Sequence, residues 1–285
     1  MKNILQNVRA KSPLVLNITN FVTVNDVANI LLACGASPVM SDEIKDVIEL
    51  AAISSAVNIN IGTLNMRTIK SMHTACSVAN KNNKVVVLDP VGVGATTLRT
   101  KTAINLIKKH SFDCIKGNMS EIKTLASILC KDDSRGDTSI ELNKTKGVDV
   151  NEDDIITDKN LLQNIKLVKA LALKTKSIVA ATGAIDIISD GDKTYTVKNG
   201  HPLMEKVCGT GCMLSGLIAS YIAANPDCKT EAVATCIAEM GIAGEKGVES
   251  LGESQGNMTL RDKIIDYFMT LSDSEVEQCM KVAEM

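Results

Sequence analysis

The chain has 285 residues, 45% hydrophobic and 22% charged, and its 31 basic and 33 acidic side chains leave a formal net charge of −2. A balance so near neutral, with both signs spread along the chain, excludes a basic face for nucleic acid and a polybasic patch for membranes. Aromatics at 2% and the absence of Trp also remove the stacking surface that single-stranded nucleic acid binding needs, so small molecules are the expected partners.

Taken in chain order, residues 1–9 lack the long apolar core of a signal peptide, and a cytoplasmic protein is expected. Short β-branched or apolar runs then alternate with longer helical patterns, the signature of βαβ units. Strands are expected at 14–18, 37–40, 57–61, 85–88, 112–115 and 178–181. Helices are expected at 25–34, closed by Gly35, and at 64–80. The stretch 131–158 is polar with little periodicity and reads as a long loop. It either closes over something or is a solvated insertion, with 146–149 its ordered part. Runs 185–189 and 194–198 flank Asp190-Gly191-Asp192-Lys193, a hairpin that puts an antiparallel element at one sheet edge. From Cys212 the pattern is helical almost to Met285. The apolar run 212–224 is shorter than the ~18 residues of a membrane span and stops at Asn225-Pro226, so it reads as a buried helix. The expected fold is α/β, a mainly parallel central sheet flanked by helices, in one domain, 1–285.

Nine cysteines, an odd number without a regular framework, point to reduced thiols. Cys208 with Cys212 and His73 with Cys76 have short spacings, but neither pair has the second half of a structural zinc site.

In parallel sheets, ligands bind beyond the carboxyl ends of the strands, and the polar residues of this chain gather there. Asn17, Thr19 and Asn20 follow the first strand, Met40 ends the second, Gly62 follows the third and Asp89 the fourth. Lys116 and Asn118 follow the fifth, and Thr182-Gly183 the sixth. Gly209-Thr210-Gly211-Cys212 runs into the apolar helix and leaves unpaired N–H groups at its positive end, an anion site whose field is also expected to lower the pKa of the Cys212 thiol. Asp89, before Pro90-Val91-Gly92-Val93-Gly94, reads either as a Mg²⁺ ligand or as a turn aspartate. Glu121 reads either as the partner of Asn118 in a capping box or as support for the metal. Lys116 offers a point charge for a nucleotide phosphate. Asn17, Thr19 and Asn20 either position a ligand or bond their own backbone. No Lys-Ser/Thr pair follows the Gly-x-Gly, which disfavours a P-loop.

Together these motifs resemble the hydroxyethylthiazole kinase family of the ribokinase-like fold. Asn17-Ile18-Thr19-Asn20, Gly35 to Met40, Asp89-Pro90-Val91-Gly92, Gly117-Asn118 with Ser120-Glu121, 146–149 and Gly209 to Cys212 occur in the family's order. Cys212, where relatives in the wider fold carry Asp, is the most discriminating position. The resemblance implies ATP-dependent phosphorylation of the primary alcohol of 5-(2-hydroxyethyl)-4-methylthiazole, a thiamine salvage step. Carried over by position, it implies Met40, Gly209 and Asn17 as substrate contacts, and Lys116 and Thr182 as ATP contacts. Asp89 and Glu121 would organise Mg²⁺, with Cys212 and the Gly209-Thr210-Gly211 turn at the reacting hydroxyl. It also implies a homotrimer with the active site at the subunit interface. Lys116 and Ala184 depart from the family's usual Arg and polar residue. Competing readings are a hydroxymethylpyrimidine kinase, a nicotinamide-nucleotide-hydrate dehydratase and a non-catalytic ligand-binding relative.

Overall fold

A computed structural model describes residues 3–130 and 156–285, so 131–155, including the motif at 146–149, lies outside the described residues. Six strands run parallel: β1 (Leu14–Ile18), β2 (Ser37–Met40), β3 (Ala56–Asn60), β4 (Val85–Asp89), β5 (Cys114–Asn118) and β6 (Ile178–Thr182). β7 (Asp186–Ser189), β8 (Thr194–Val197) and β9 (Val282–Glu284) extend the sheet antiparallel, in the order β2-β1-β3-β4-β5-β6-β7-β8-β9.

Period-two alternation sends Val15, Ala56, Val87 and Cys114 to one face of the sheet and Leu16, Val57, Leu88 and Ile115 to the other. On the first face pack α1 (Ile4–Lys11), α2 (Val24–Cys34), α8 (Thr210–Ala224), α9 (Lys229–Glu249), α10 (Asn257–Thr270) and α11 (Asp273–Cys279). On the second lie α3 (Ile44–Ile53), α4 (Met66–Lys81), α5 (Thr97–Lys109), α6 (Met119–Leu129) and α7 (Leu161–Thr175). Asn65 starts α4 through a capping box with Thr68, and Gly35, at φ 93°, ends α2 as expected.

Two expectations need correction. Several parallel strands run further into their polar ends: β5 continues through Lys116-Gly117-Asn118, because Gly117 and Asn118 still pair with Ala181 and Thr182 of β6. The helical region stops at Cys279 and gives way to a further strand, so the antiparallel edge extends beyond the hairpin. β9 pairs outside β8, and its three residues are too few to show alternation in the sequence.

β1 is hydrogen-bonded to both β2 and β3, so the winding of the sheet reverses at β1. A reversal of that kind opens a crevice at the carboxyl ends of the flanking strands. α8 lies across β1, β3, β4 and β5 and aims its N-terminus at that end of the sheet.

Candidate active site

α8 begins at Gly209, whose φ of 97° is left-handed and whose added Cβ would sit 2.8 Å from Thr23 Cγ2. No side chain caps the helix, so the first-turn N–H groups of Thr210, Gly211 and Cys212 carry its positive end uncompensated. Those of Thr210 and Gly211 border a cavity of about 360 Å³ whose wall includes Asn118 and Thr182 at one part and Leu214 and Ile237 at another. A larger concavity of about 820 Å³, lined by Lys84, Asp113 and Lys229 among others, holds none of the candidate residues.

Asp89 is buried at the end of β4 with its two oxygens in different states. Oδ2 accepts from Ser215 Oγ at 2.8 Å, Asn60 Nδ2 at 3.0 Å and Lys116 Nζ at 3.2 Å. Oδ1 is buried without a partner among the described residues. Lys116 Nζ also donates to the Gly211 carbonyl at 3.0 Å, tying β5 to the turn that starts α8. Burial works to lower the Lys116 ammonium, but Asp89, Cys212 and Glu121 outweigh it and hold it above the usual lysine range.

Glu121 closes the capping box with Asn118. Its Oε2 accepts from Asn118 N at 2.8 Å, while its Oε1 reaches the neighbouring loop and accepts from Gly92 N at 2.7 Å. A Cβ on Gly117 would lie 2.9 Å from Oε2, so only glycine leaves room for this fold-back. Burial, then the Asp89 charge, pushes the Glu121 carboxyl up to about 7, against Lys116 and the two backbone donors.

Cys212 is half-buried, and its sulfur accepts from the side-chain amides of Asn20 and Asn60, each at 3.2 Å. Its thiol titrates above the ordinary cysteine range, chiefly through burial and then Asp89, with Lys116, Thr23 and Asn20 pulling the other way. The expected lowering of this thiol's pKa by the helix terminus is therefore corrected: burial and Asp89 outweigh it.

The remaining candidates surround this cluster. Asn17 is buried under α8, donating to Val15 O at 3.0 Å and accepting from Asn58 Nδ2 at 3.0 Å. Met40 is half-buried and pairs with Asn17 across the β1–β2 ladder. Thr182 Oγ1 donates to Gly117 O at 3.3 Å on the cavity wall. Thr19 Oγ1 is buried without a partner among the described residues. No group of three or more His, Cys, Asp or Glu placed to hold a metal exists among the described residues. No helix among them is long and apolar enough to cross a membrane, and all nine cysteines are free.

Four residues escaped the sequence reading. Asn60 bridges Cys212 and Asp89, and Asn58 holds Asn17. Ser215 reaches Asp89 from the second turn of α8, and Arg99 bonds Val91 O at 2.8 Å and Gly62 O at 2.7 Å, bracing two strand-end turns together. Only Asn58 and Asn60 leave a signal: two amides at alternate positions of an otherwise apolar strand.

Comparison with known proteins gives a consistent result. The model of the hydroxyethylthiazole kinase family matches residues 5–274. A hydroxyethylthiazole kinase of Clostridium acetobutylicum is 46% identical over 99% of this chain and 98% of its own length. The solved structure of a hydroxyethylthiazole kinase from Pyrococcus horikoshii superposes with a TM-score of 0.85 at 34% identity, covering 100% of both chains. A ribokinase-like superfamily protein from Enterococcus faecalis, at 14% identity and a TM-score of 0.59 over 93% of this chain and 88% of its own, shares the fold.

Proposed function

The chain belongs to the hydroxyethylthiazole kinase family, with a ribokinase-like fold, and on that premise we propose how it works: it transfers the γ-phosphoryl group of ATP to the primary alcohol of 5-(2-hydroxyethyl)-4-methylthiazole. The observation that carries this reading is the meeting of Asp89, Lys116 and Cys212 around the uncapped start of α8, beside a cavity of about 360 Å³.

Phosphoryl transfer passes a loose transition state, so positioning and charge stabilisation dominate over deprotonation of the alcohol. ATP lies in the cavity, its phosphates toward Thr182, Thr210 and Gly211 and its base against the apolar wall. The N–H groups of Thr210, Gly211 and Cys212 stabilise charge on the transferring group, because they stand unpaired at a helix N-terminus. Lys116, held between Asp89 and the Gly211 carbonyl, adds a fixed positive charge. The thiazole alcohol lies on the Cys212 side, against Met40, Gly209 and the Asn17 end of β1, with its hydroxyl near the sulfur.

Asp89 and Glu121 fit a magnesium ion. Mg²⁺ takes one or two carboxylates and completes its shell with water and substrate phosphate. The unpartnered Oδ1 of Asp89 suits direct contact, and the two oxygens of Glu121, each with one N–H bond, suit contact through water. When bound, the ion neutralises phosphate charge.

The chain is read as one domain, 1–285, acting in the cytoplasm as a homotrimer with the active site at the subunit interface. Phe21 and Val22, 79% and 59% exposed beside Asn20, support an interface at the rim of the site. Sedimentation at a mass three times the 30.4 kDa chain checks the trimer.

The decisive assay incubates the protein with ATP, Mg²⁺ and the thiazole alcohol, with hydroxymethylpyrimidine as competitor, and identifies the product by mass spectrometry. Thiazole phosphate is expected. Its absence, or preferential phosphorylation of the pyrimidine, overturns the reading.

A further inference from the structure

We propose that Asn20 and Asn60 are positioning residues: their side-chain amides form a cradle that presents two N–H groups to the Cys212 sulfur and aims its remaining direction, the S–H of the thiol or the free lone pair of the thiolate, at the reacting alcohol. This rests on the placement of Cys212 beside that alcohol.

The orientation of both amides is forced by their surroundings. Asn20 Oδ1 accepts from Val22 N and Thr23 N, each at 3.2 Å, and from Thr23 Oγ1 at 3.1 Å. A backbone N–H only donates, so this end of the amide is the oxygen and the other end is the NH₂ group. Asn60 Oδ1 accepts from Gly62 N at 2.9 Å and Asn20 Nδ2 at 3.1 Å, which fixes Asn60 in the same sense. Each NH₂ group then has two hydrogens and two acceptors. Asn20 Nδ2 serves Asn60 Oδ1 and Cys212 Sγ, and Asn60 Nδ2 serves Asp89 Oδ2 and Cys212 Sγ.

The sulfur therefore meets two donors and cannot give its own proton to either. The two amides take both lone pairs of the thiol, whose S–H therefore points away from them; in the thiolate a third lone pair takes that direction. Stabilisation of developing negative charge on sulfur comes from neutral dipoles already in place. The same Asn60 amide links the sulfur to Asp89, so the thiol and the carboxylate share one rigid connector. The cradle sits at the carboxyl ends of β1 and β3, where the sheet reverses its winding. Gly62 is part of the device: a Cβ there would lie 2.9 Å from Asn60 Oδ1 and 3.0 Å from Asn20 Cβ.

A double-mutant cycle on the full-length protein tests this. Asn60→Leu keeps the approximate volume and removes both donors. In the Cys212 protein it is expected to lower kcat by about tenfold or more, whereas in a Cys212→Ala background, where of the two donor bonds only the one to Asp89 is lost, the effect is expected to be several-fold smaller. Equal effects in the two backgrounds mean that Asn60 acts structurally and overturn the proposal, as does unchanged turnover in either Asn60→Leu or Cys212→Ala alone. A second measurement does not depend on turnover. Alkylation of Cys212 by iodoacetamide, followed by peptide mass spectrometry at fixed pH, is expected to slow by about tenfold in Asn60→Ser, a smaller change than Leu. An unchanged or faster rate overturns the cradle. If the wild-type protein makes no thiazole phosphate, the assigned function fails while the alkylation result still decides whether the amides control the sulfur.

Discussion

Lys116 and Asp89 form a buried ion pair, 3.2 Å from Nζ to Oδ2, in which the lysine also holds the Gly211 carbonyl at 3.0 Å. Neither charge has access to water that would replace its partner. Removing the lysine charge therefore leaves a buried carboxylate supported only by Asn60 and Ser215. Lys116→Met is expected to lower unfolding stability by about 3–5 kcal/mol, measured by urea denaturation. Adding Asp89→Asn should recover part of that loss; a double variant that is weaker still would contradict the pairing argument.

Cys212→Ala is expected to reduce kcat by at most the ~10² to 10⁴-fold typical of a proton-transfer group. The KM for ATP should stay within about twofold, because Cys212 is not among the residues lining the cavity proposed to hold the nucleotide. A large rise in the ATP KM with intact kcat would move the sulfur from the chemistry to nucleotide binding.

Gly211→Val tests the anion site. A Cβ at this position would stand 3.1 Å from Lys116 Nζ, and the two methyl groups of valine would crowd the N–H groups proposed to hold the phosphates. Turnover should be nearly abolished while circular dichroism keeps the native helical signal. Kinetics like those of the wild type would remove the turn from the phosphoryl-transfer step.

The pH dependence of stability should carry a signature from Glu239, buried in α9 and hydrogen-bonded by the Tyr221 hydroxyl. Burial pushes its carboxyl up to about 8 from the ordinary 4.5, with Asp273 adding and the Tyr221 bond and Arg9 opposing. Between those values the folded state holds a proton that the unfolded chain has released. Stability from this group is therefore full below about 4.5 and is lost as pH rises toward about 8. Glu239→Gln keeps an acceptor for Tyr221 and removes the titration. Its unfolding free energy from denaturant titration, compared with the wild type from pH 5 to 8, should fall less steeply, by up to about 1.4 kcal/mol per pH unit. Parallel profiles would mean that the carboxyl is ionised throughout.

Much of the fold was legible because buried parallel strands leave short apolar runs and their carboxyl ends leave polar residues just behind. Asp89, Lys116 and the Gly-Thr-Gly-Cys turn stood out for that reason, and the structure does bring them into contact. The capping box of Asn118 and Glu121 was legible as a spacing, yet the second use of the Glu121 carboxyl, on Gly92, required knowing that two loops adjoin. The Asn20–Asn60 contact depends on β1 lying beside β3, which no local pattern encodes. Ser215 looked like one more small residue on a buried helix. β9 was missed because three residues cannot display a period.

Ser215 is 126 residues from the carboxylate it bonds, and Cys212 is 192 residues from Asn20. Such contacts form only after the intervening chain has paid the entropy of closing long loops, so they belong to the late stages of folding. Early species with most helices in place would lack the cluster entirely. Recovery of turnover after dilution from denaturant should therefore lag behind recovery of the far-ultraviolet signal, which makes the enzyme its own reporter of completed tertiary assembly.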